Sequence, residues 1–235
     1  LTNRVKEIAD HFEKHGSMLL TGPAGVGKTV LIHALLDLLC LEEKPVVAAL
    51  RHCAAMLVGG KTLQHYLCIY NSTGGSPEAG TIVVVDEISE VQLHTLQQLA
   101  QWKLMGVRFI FAGDLDGQFK PIFDKMADAM KAKDLRTSRF LFEMCNGLHV
   151  KLSVYRRGTD PELFRWYTGL YKWADNTNTE TVAQLVKHTR NRYPWRDEEI
   201  DVYFVMSHKK RVKINAVQNA IHAARQDDTL FLESP

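Results

Sequence analysis

The chain has little cysteine and little proline, four and seven among 235 residues. The cysteines, Cys40, Cys53, Cys68 and Cys145, form no Cys-x-x-Cys pair, which argues against a zinc knuckle. Each sits in an apolar or helix-compatible context and reads as a reduced structural thiol, which points to a soluble intracellular protein. No apolar run approaches the roughly 18 residues needed to span a bilayer, so no membrane segment is expected, nor is a signal peptide. A charge excess is also lacking: 29 Lys and Arg stand against 27 Asp and Glu, a net charge of +2 that neither demands nor excludes an acidic partner. The ordinary 46% of apolar residues over this length supplies a core for one large α/β domain, or for one and a half smaller ones.

Against this background the stretch SMLLTGPAGVGKTVLIHALLDLLC stands out. A short apolar run, MLL, reads as a buried strand, and VLIHALLDLLC continues with helix-compatible apolar spacing. Between them Gly22, Pro23, Ala24, Gly25, Val26, Gly27, Lys28 and Thr29 fill the pattern GxxxxGK[ST], with Val30 opening the helix. The glycines let backbone N–H groups turn inward around phosphate oxygens, and the helix N-terminus adds the positive end of its dipole. Lys28 is placed to reach the β and γ phosphates and Thr29 to offer a hydroxyl to Mg2+. ATP with Mg2+ is the ligand this implies.

A second strand answers the first. TIVVVDEIS has the β-branched run Thr81 to Val85 of a strand buried on both faces, with Asp86 and Glu87 at its carboxyl end, where parallel sheets place ligands. Asp86 is the candidate metal ligand, and Glu87 the group that orients or deprotonates an attacking water. A third strand, GVRFIFAGD, empties into FAGDLDGQFKPI, which brings Asp114, Asp116 and Gln118 to the same sheet edge.

This ordered set resembles the superfamily 1 DNA helicases, most closely their RecD-like and Pif-like branch, whose third motif is a strand followed by GDxxQ and a proline turn. The resemblance implies Gln118 as the γ-phosphate sensor, although Gly117 makes this stretch one residue longer than the family spacing. PVVAALRHCAAMLVGGKTLQHYL resembles the family's G-x-T-x-H segment, which contacts single-stranded DNA. Gly60, Lys61 and Thr62 fit phosphate contact; Gln64 takes the usual histidine place and His65 falls one step late. A helix cap and loop is the plainer reading of the same residues. In HVKLSVYRRGTDPELFRWYTGL, Arg156 matches the arginine that the family reaches across a domain cleft to the γ-phosphate, with Arg157 as its substitute. VYFVMSHKKRVKINAVQNAIHAAR reads as a strand, a basic turn and a helix; Lys209 and Asn215 there are candidate nucleic-acid contacts.

The implied fold is α/β: a P-loop NTPase with a RecA-like, doubly wound parallel sheet over residues 1–155. A helical linker over 156–200 and the incomplete start of a second RecA-like domain over 201–235 follow. The implied function is an ATP-dependent helicase or translocase core coupled to single-stranded DNA, with replication or recombination proteins as further candidate partners. The family's last motifs have no counterpart here, so weak ATP hydrolysis and no duplex unwinding are expected. Two rival readings stay open: a nucleotide-gated DNA-binding module without turnover, and a P-loop nucleoside kinase, suggested by LDGQFKPI but lacking that family's paired cysteines.

Overall fold

Strands buried on both faces need continuous apolar runs, and the four central strands have them. The structure, a computed structural model, describes residues 2–39, 44–116, 138–170, 179–194 and 207–224. Two compact units divide the chain, Leu1–Thr177 and Asn178–Pro235.

In the first unit the elements run α1 (Thr2–His15), β1 (Met18–Thr21), α2 (Lys28–Leu38), β2 (Val46–Ala49), α3 (His52–Leu57), β3 (Lys61–Thr62) and α4 (Leu63–Ser72). They continue with β4 (Ile82–Asp86), a 3-10 turn (Ile88–Glu90), α5 (Leu93–Leu104), β5 (Arg108–Gly113), α6 (Arg139–Met144), β6 (His149–Lys151) and α7 (Pro161–Gly169). The six strands form one all-parallel sheet in the order β3-β2-β4-β5-β1-β6. This is the doubly wound P-loop fold expected from the motifs.

Alternate side chains of each strand feed opposite faces. On one face Leu19, Val83, Val85, Phe109 and Phe111 pack with Leu63, Leu67, Leu96, Leu99 and Trp102 of α4 and α5. On the other, Met18, Leu20, Val84, Ile110 and Ala112 pack with Phe12 of α1 and with Ile32 and Leu35 of α2. Each fully buried Val, Leu, Ile, Phe or Met side chain among them contributes about 1.5–3 kcal/mol. This burial fixes which strand ends come together, because β5 sits between β4 and β1 with Thr21 beside Gly113 and Val85 beside Phe111.

At the opposite, amino edge, the fully buried Ser17 hydroxyl accepts from Lys103 Nζ at 2.7 Å and from the Phe109 N–H at 2.9 Å. That pair satisfies a hydroxyl that would otherwise destabilise the core.

The second unit contributes two described helices, α8 (Thr179–Arg192) and α9 (His208–Ala224). The basic run Lys209, Lys210, Arg211 and Lys213, read from sequence as a turn, lies inside the first turns of α9. Ser207 is the reason: its hydroxyl accepts the Lys210 N–H at 3.3 Å and its carbonyl the Arg211 N–H at 3.0 Å, so the helix starts before the basic residues. Among the described residues no helix is long and apolar enough to cross a membrane.

Candidate active site

Three adjacent strands, β4, β5 and β1, end at one edge of the sheet, and each delivers a polar segment there. From β1 the chain enters the loop Gly22–Gly27. Gly25 and Gly27 hold φ of 81° and 92°, left-handed values that a side chain rarely tolerates, and Gly27 hands over directly to α2. A side chain at Gly22 would collide with the Leu152 carbonyl, so that glycine answers a close approach of backbone.

Lys28 Nζ lies within this loop, donating to the carbonyls of Gly22 at 2.8 Å and Pro23 at 3.0 Å. Burial pushes its ammonium below the ordinary lysine range, while the charges of Asp114, then Glu87, then Asp86 pull it back and Arg157 opposes them. Thr29 is partly buried in the first turn of α2, whereas Val30 is 67% exposed on that helix.

Asp86 ends β4 as a buried carboxylate that accepts the Glu87 N–H at 2.9 Å. Burial raises its pKa above the usual carboxylate range, and the Glu87 charge adds to the rise. The Glu87 N–H and Lys28 work against it. Glu87 itself takes φ 59° and ψ 42°, left-handed values unusual for a residue with a long side chain. The turn that follows is braced: the Glu90 N–H donates to the Glu87 carbonyl at 2.9 Å, and Arg51 grips Glu90 through two bonds of 2.9 and 2.8 Å. Gly113 lets β5 approach this turn, since a Cβ there would stand 3.0 Å from Ile88 Cγ2.

Asp114, at the end of β5, is buried, and its carboxylate accepts the Asp116 N–H at 3.1 Å. Its charge acts on Lys28 more strongly than that of either β4 carboxylate, a role the sequence reading did not assign although it placed Asp114 at this edge. The available signal was the buried Gly-Asp closing an apolar strand. Gln118 lies outside the described residues.

The segment after β6 closes over the loop. Arg156 and Arg157 donate their backbone N–H groups to the Gly25 carbonyl at 2.8 and 3.0 Å, and Arg156 Cδ would be 3.6 Å from a Cβ at Gly27. Arg156 therefore belongs to the same unit as the loop, and among these two arginines it is Arg157 whose charge acts on Lys28. Tyr167 of α7 donates its hydroxyl to the Ala24 carbonyl at 2.7 Å. The sequence places Tyr167 in the helical linker and names no contact between it and the loop, because an aromatic among polar residues announces no partner.

The candidate nucleic-acid residues are carried by other elements. Lys61 is exposed on edge strand β3, and His65 is exposed on α4, its ring edge-on to Tyr66 at 5.6 Å. Thr62 caps α4 by accepting the His65 N–H at 3.3 Å. Lys209 and Asn215 lie on α9 of the second unit.

The site as assembled sets one lysine and a glycine-rich loop against three carboxylates. That arrangement suits an anionic phosphate chain accompanied by a divalent cation.

Comparison with known proteins agrees with this reading of the fold. A family model described as an AAA domain matches residues 6–124, half of the chain. No curated protein matches in sequence. Among solved structures the chain is similar to the Pif1 helicase from Candida albicans, at 20% identity and TM-score 0.64, covering 93% of this chain and 54% of that one. It is similar to the Pif1 helicase from Bacteroides in complex with ADP-AlF3 and ssDNA, at 20% identity and TM-score 0.61, covering 97% and 57%. A structure of two coordinating Pif1 helicases unwinding forked dsDNA matches at 21% identity and TM-score 0.60, covering 93% and 57%. The chain thus spans just over half the length of these helicases. With its all-parallel sheet, its phosphate loop and its Asp-Glu strand, the chain belongs to the AAA-domain family and has the RecA-like P-loop fold of the superfamily 1 helicase Pif1.

Proposed function

We propose that this chain is the ATPase core of a DNA helicase or translocase, binding ATP with Mg2+ and hydrolysing it in response to single-stranded DNA. One observation supports this most: Lys28 shares a single sheet edge with the carboxylates of Asp86, Glu87 and Asp114, all close enough for their charges to act on it. In this reading Lys28 leaves the Gly22 and Pro23 carbonyls for the β and γ phosphates, and the inward N–H groups of the loop hold the α and β phosphates. The Thr29 hydroxyl and the Asp86 carboxylate hold Mg2+. Among the described residues there is no group of three metal-ligating side chains, which fits a cation that takes most of its ligands from phosphate and water. Mg2+, when bound, neutralises charge on the phosphates.

Glu87, held by its left-handed backbone, orients or deprotonates the attacking water, and Arg156 neutralises charge developing on the γ-phosphate. Gln118 senses that phosphate. Residues Lys61, Thr62 and His65, with Lys209 and Asn215, contact the single strand. The Bacteroides Pif1 structure holds ADP-AlF3 and ssDNA together, which supports this pairing of ligands in a protein of the same fold.

The test is phosphate release with and without single-stranded DNA, for the wild type and for Lys28→Ala, with a nucleoside arm that scores phosphate transfer. DNA-stimulated release that disappears in Lys28→Ala is the expected result. Transfer to the nucleoside would replace this reading with a kinase. Nucleotide binding without release under any condition would leave a nucleotide-gated DNA-binding module.

A further inference from the structure

We infer that Tyr167 is a positioning residue that holds the phosphate-binding loop in its anion-binding shape from a helix beyond the end of the sheet; the inference rests on the nucleotide reading above. A loop that commits its N–H groups to an anion leaves its carbonyls to other donors. Four successive carbonyls of this loop have them. Gly22 and Pro23 accept from Lys28, Gly25 accepts from the N–H groups of Arg156 and Arg157, and Ala24 accepts from the Tyr167 hydroxyl at 2.7 Å.

These donors differ in permanence. The ammonium of Lys28 is the group that must turn to the phosphates, so its two bonds are surrendered when nucleotide arrives. The bonds at Ala24 and Gly25 do not compete with the ligand and remain as the loop's fixed points. At Gly25 both donors are backbone N–H groups, which any residue but proline supplies. At Ala24 the donor is one hydroxyl, 143 positions downstream.

That hydroxyl is held in place by its surroundings. Asp160 caps α7 by accepting the Glu162 and Leu163 N–H groups, each at 2.9 Å, and Pro161 opens the helix. The Tyr167 ring meets Phe164 edge-on at 5.4 Å, and Phe164 stacks on Tyr155 at 4.6 Å. Tyr155 in turn closes on the loop, where a Cβ at Gly25 would lie 2.7 Å from its ring. The aromatic stack and the hydroxyl thus grip neighbouring residues of the loop. Burial raises the Tyr167 pKa above the ordinary tyrosine value, at which the phenol is already protonated and able to donate at neutral pH.

Tyr167→Phe keeps the ring and removes the donor. Two measurements decide its role: the Kd for a fluorescent ATP analogue with Mg2+, and amide hydrogen exchange across Ala24 to Gly27 in the nucleotide-free protein. The expected result is a Kd raised about five- to tenfold, the worth of one hydrogen bond, together with faster exchange in the loop and unchanged exchange in β4. A merely structural role would lower the unfolding midpoint and leave the Kd of the folded protein where it was, and that outcome overturns the inference. Equal exchange in the two proteins also overturns it. Failure of the wild type to bind any nucleotide refutes the nucleotide reading instead, and the exchange comparison then decides the role of Tyr167 alone.

Discussion

Replacing Glu87 by glycine and, separately, by alanine distinguishes backbone strain from charge at the carboxyl end of β4. Glu87 sits at φ 59°, ψ 42°, and its carboxylate adds to the burial that raises the pKa of Asp86. Both substitutions remove the carboxylate, so relief of that repulsion is common to the two. They differ in the backbone. An L-residue in the left-handed region costs about 1–2 kcal/mol that glycine escapes, while glycine surrenders about 0.5–1 kcal/mol more chain entropy on folding than alanine.

The balance favours glycine by about 0.5–1 kcal/mol, the reverse of the usual order of the two residues. For a protein of this size that difference corresponds to about 1–4 °C in Tm. Thermal and urea unfolding of the nucleotide-free proteins measure it. Both variants are expected to lose about 10²- to 10⁴-fold in phosphate release, the range for removing a general base, while still binding nucleotide. An alanine variant as stable as the glycine variant would show that the turn holds no strain, and the idea that this site trades stability for a fixed carboxylate would fall.

Asp86→Asn addresses the buried carboxylate next door. A folded-state pKa raised above the unfolded value contributes stability below the ordinary carboxylate range and loses it as pH rises through the folded pKa, so the charged group destabilises the free protein at neutral pH. The asparagine variant is therefore expected to unfold at a higher temperature than wild type at pH 7 and to lose that advantage toward pH 3; an advantage independent of pH would contradict it. Gly25→Ala meets both a φ of 81° and the Tyr155 ring, whereas Gly59→Ala meets a φ of 72° with nothing within 4 Å. Urea unfolding should show about 0.5–1 kcal/mol lost at Gly59 and more at Gly25, and equal losses would mean that Tyr155 does not press on the loop. Cys145 is buried with its thiol pushed up to about 12, while Cys53 and Cys68 are exposed. Peptide mapping after brief thiol labelling at pH 8 should find Cys53 and Cys68 modified and Cys145 untouched until denaturant is added.

Much of this site is legible in the sequence. The loop from Gly22 to Thr29 is local: its glycines, its lysine and the helix that follows are neighbours in the chain, so one short pattern holds both the geometry and the chemistry. The strand of Asp86 and Glu87 was legible for a related reason, since a β-branched run ending in two acids describes a doubly buried strand and its ligand edge at once. Asp114 was visible as a residue yet not as a partner of Lys28, because its role depends on β5 being inserted between β4 and β1. The basic run of α9 reads as a turn from its charges alone, and only Ser207, as the cap, puts it inside the helix.

Local pattern alone thus settled the fold class and the loop, the Asp-Glu pair and the strand that faces them, because those signals reside in contiguous residues whose backbone freedom and apolar spacing are intrinsic. Which groups meet was a matter of packing. The strand order that aims Asp114 at Lys28, the grip of Arg51 on Glu90 behind the turn of Glu87 and the seating of Tyr155, Phe164 and Tyr167 on the loop all join residues far apart in the chain. Their contacts exist only once the two apolar faces of the sheet are covered, and burial, which is non-directional along the sequence, leaves no motif behind to announce them.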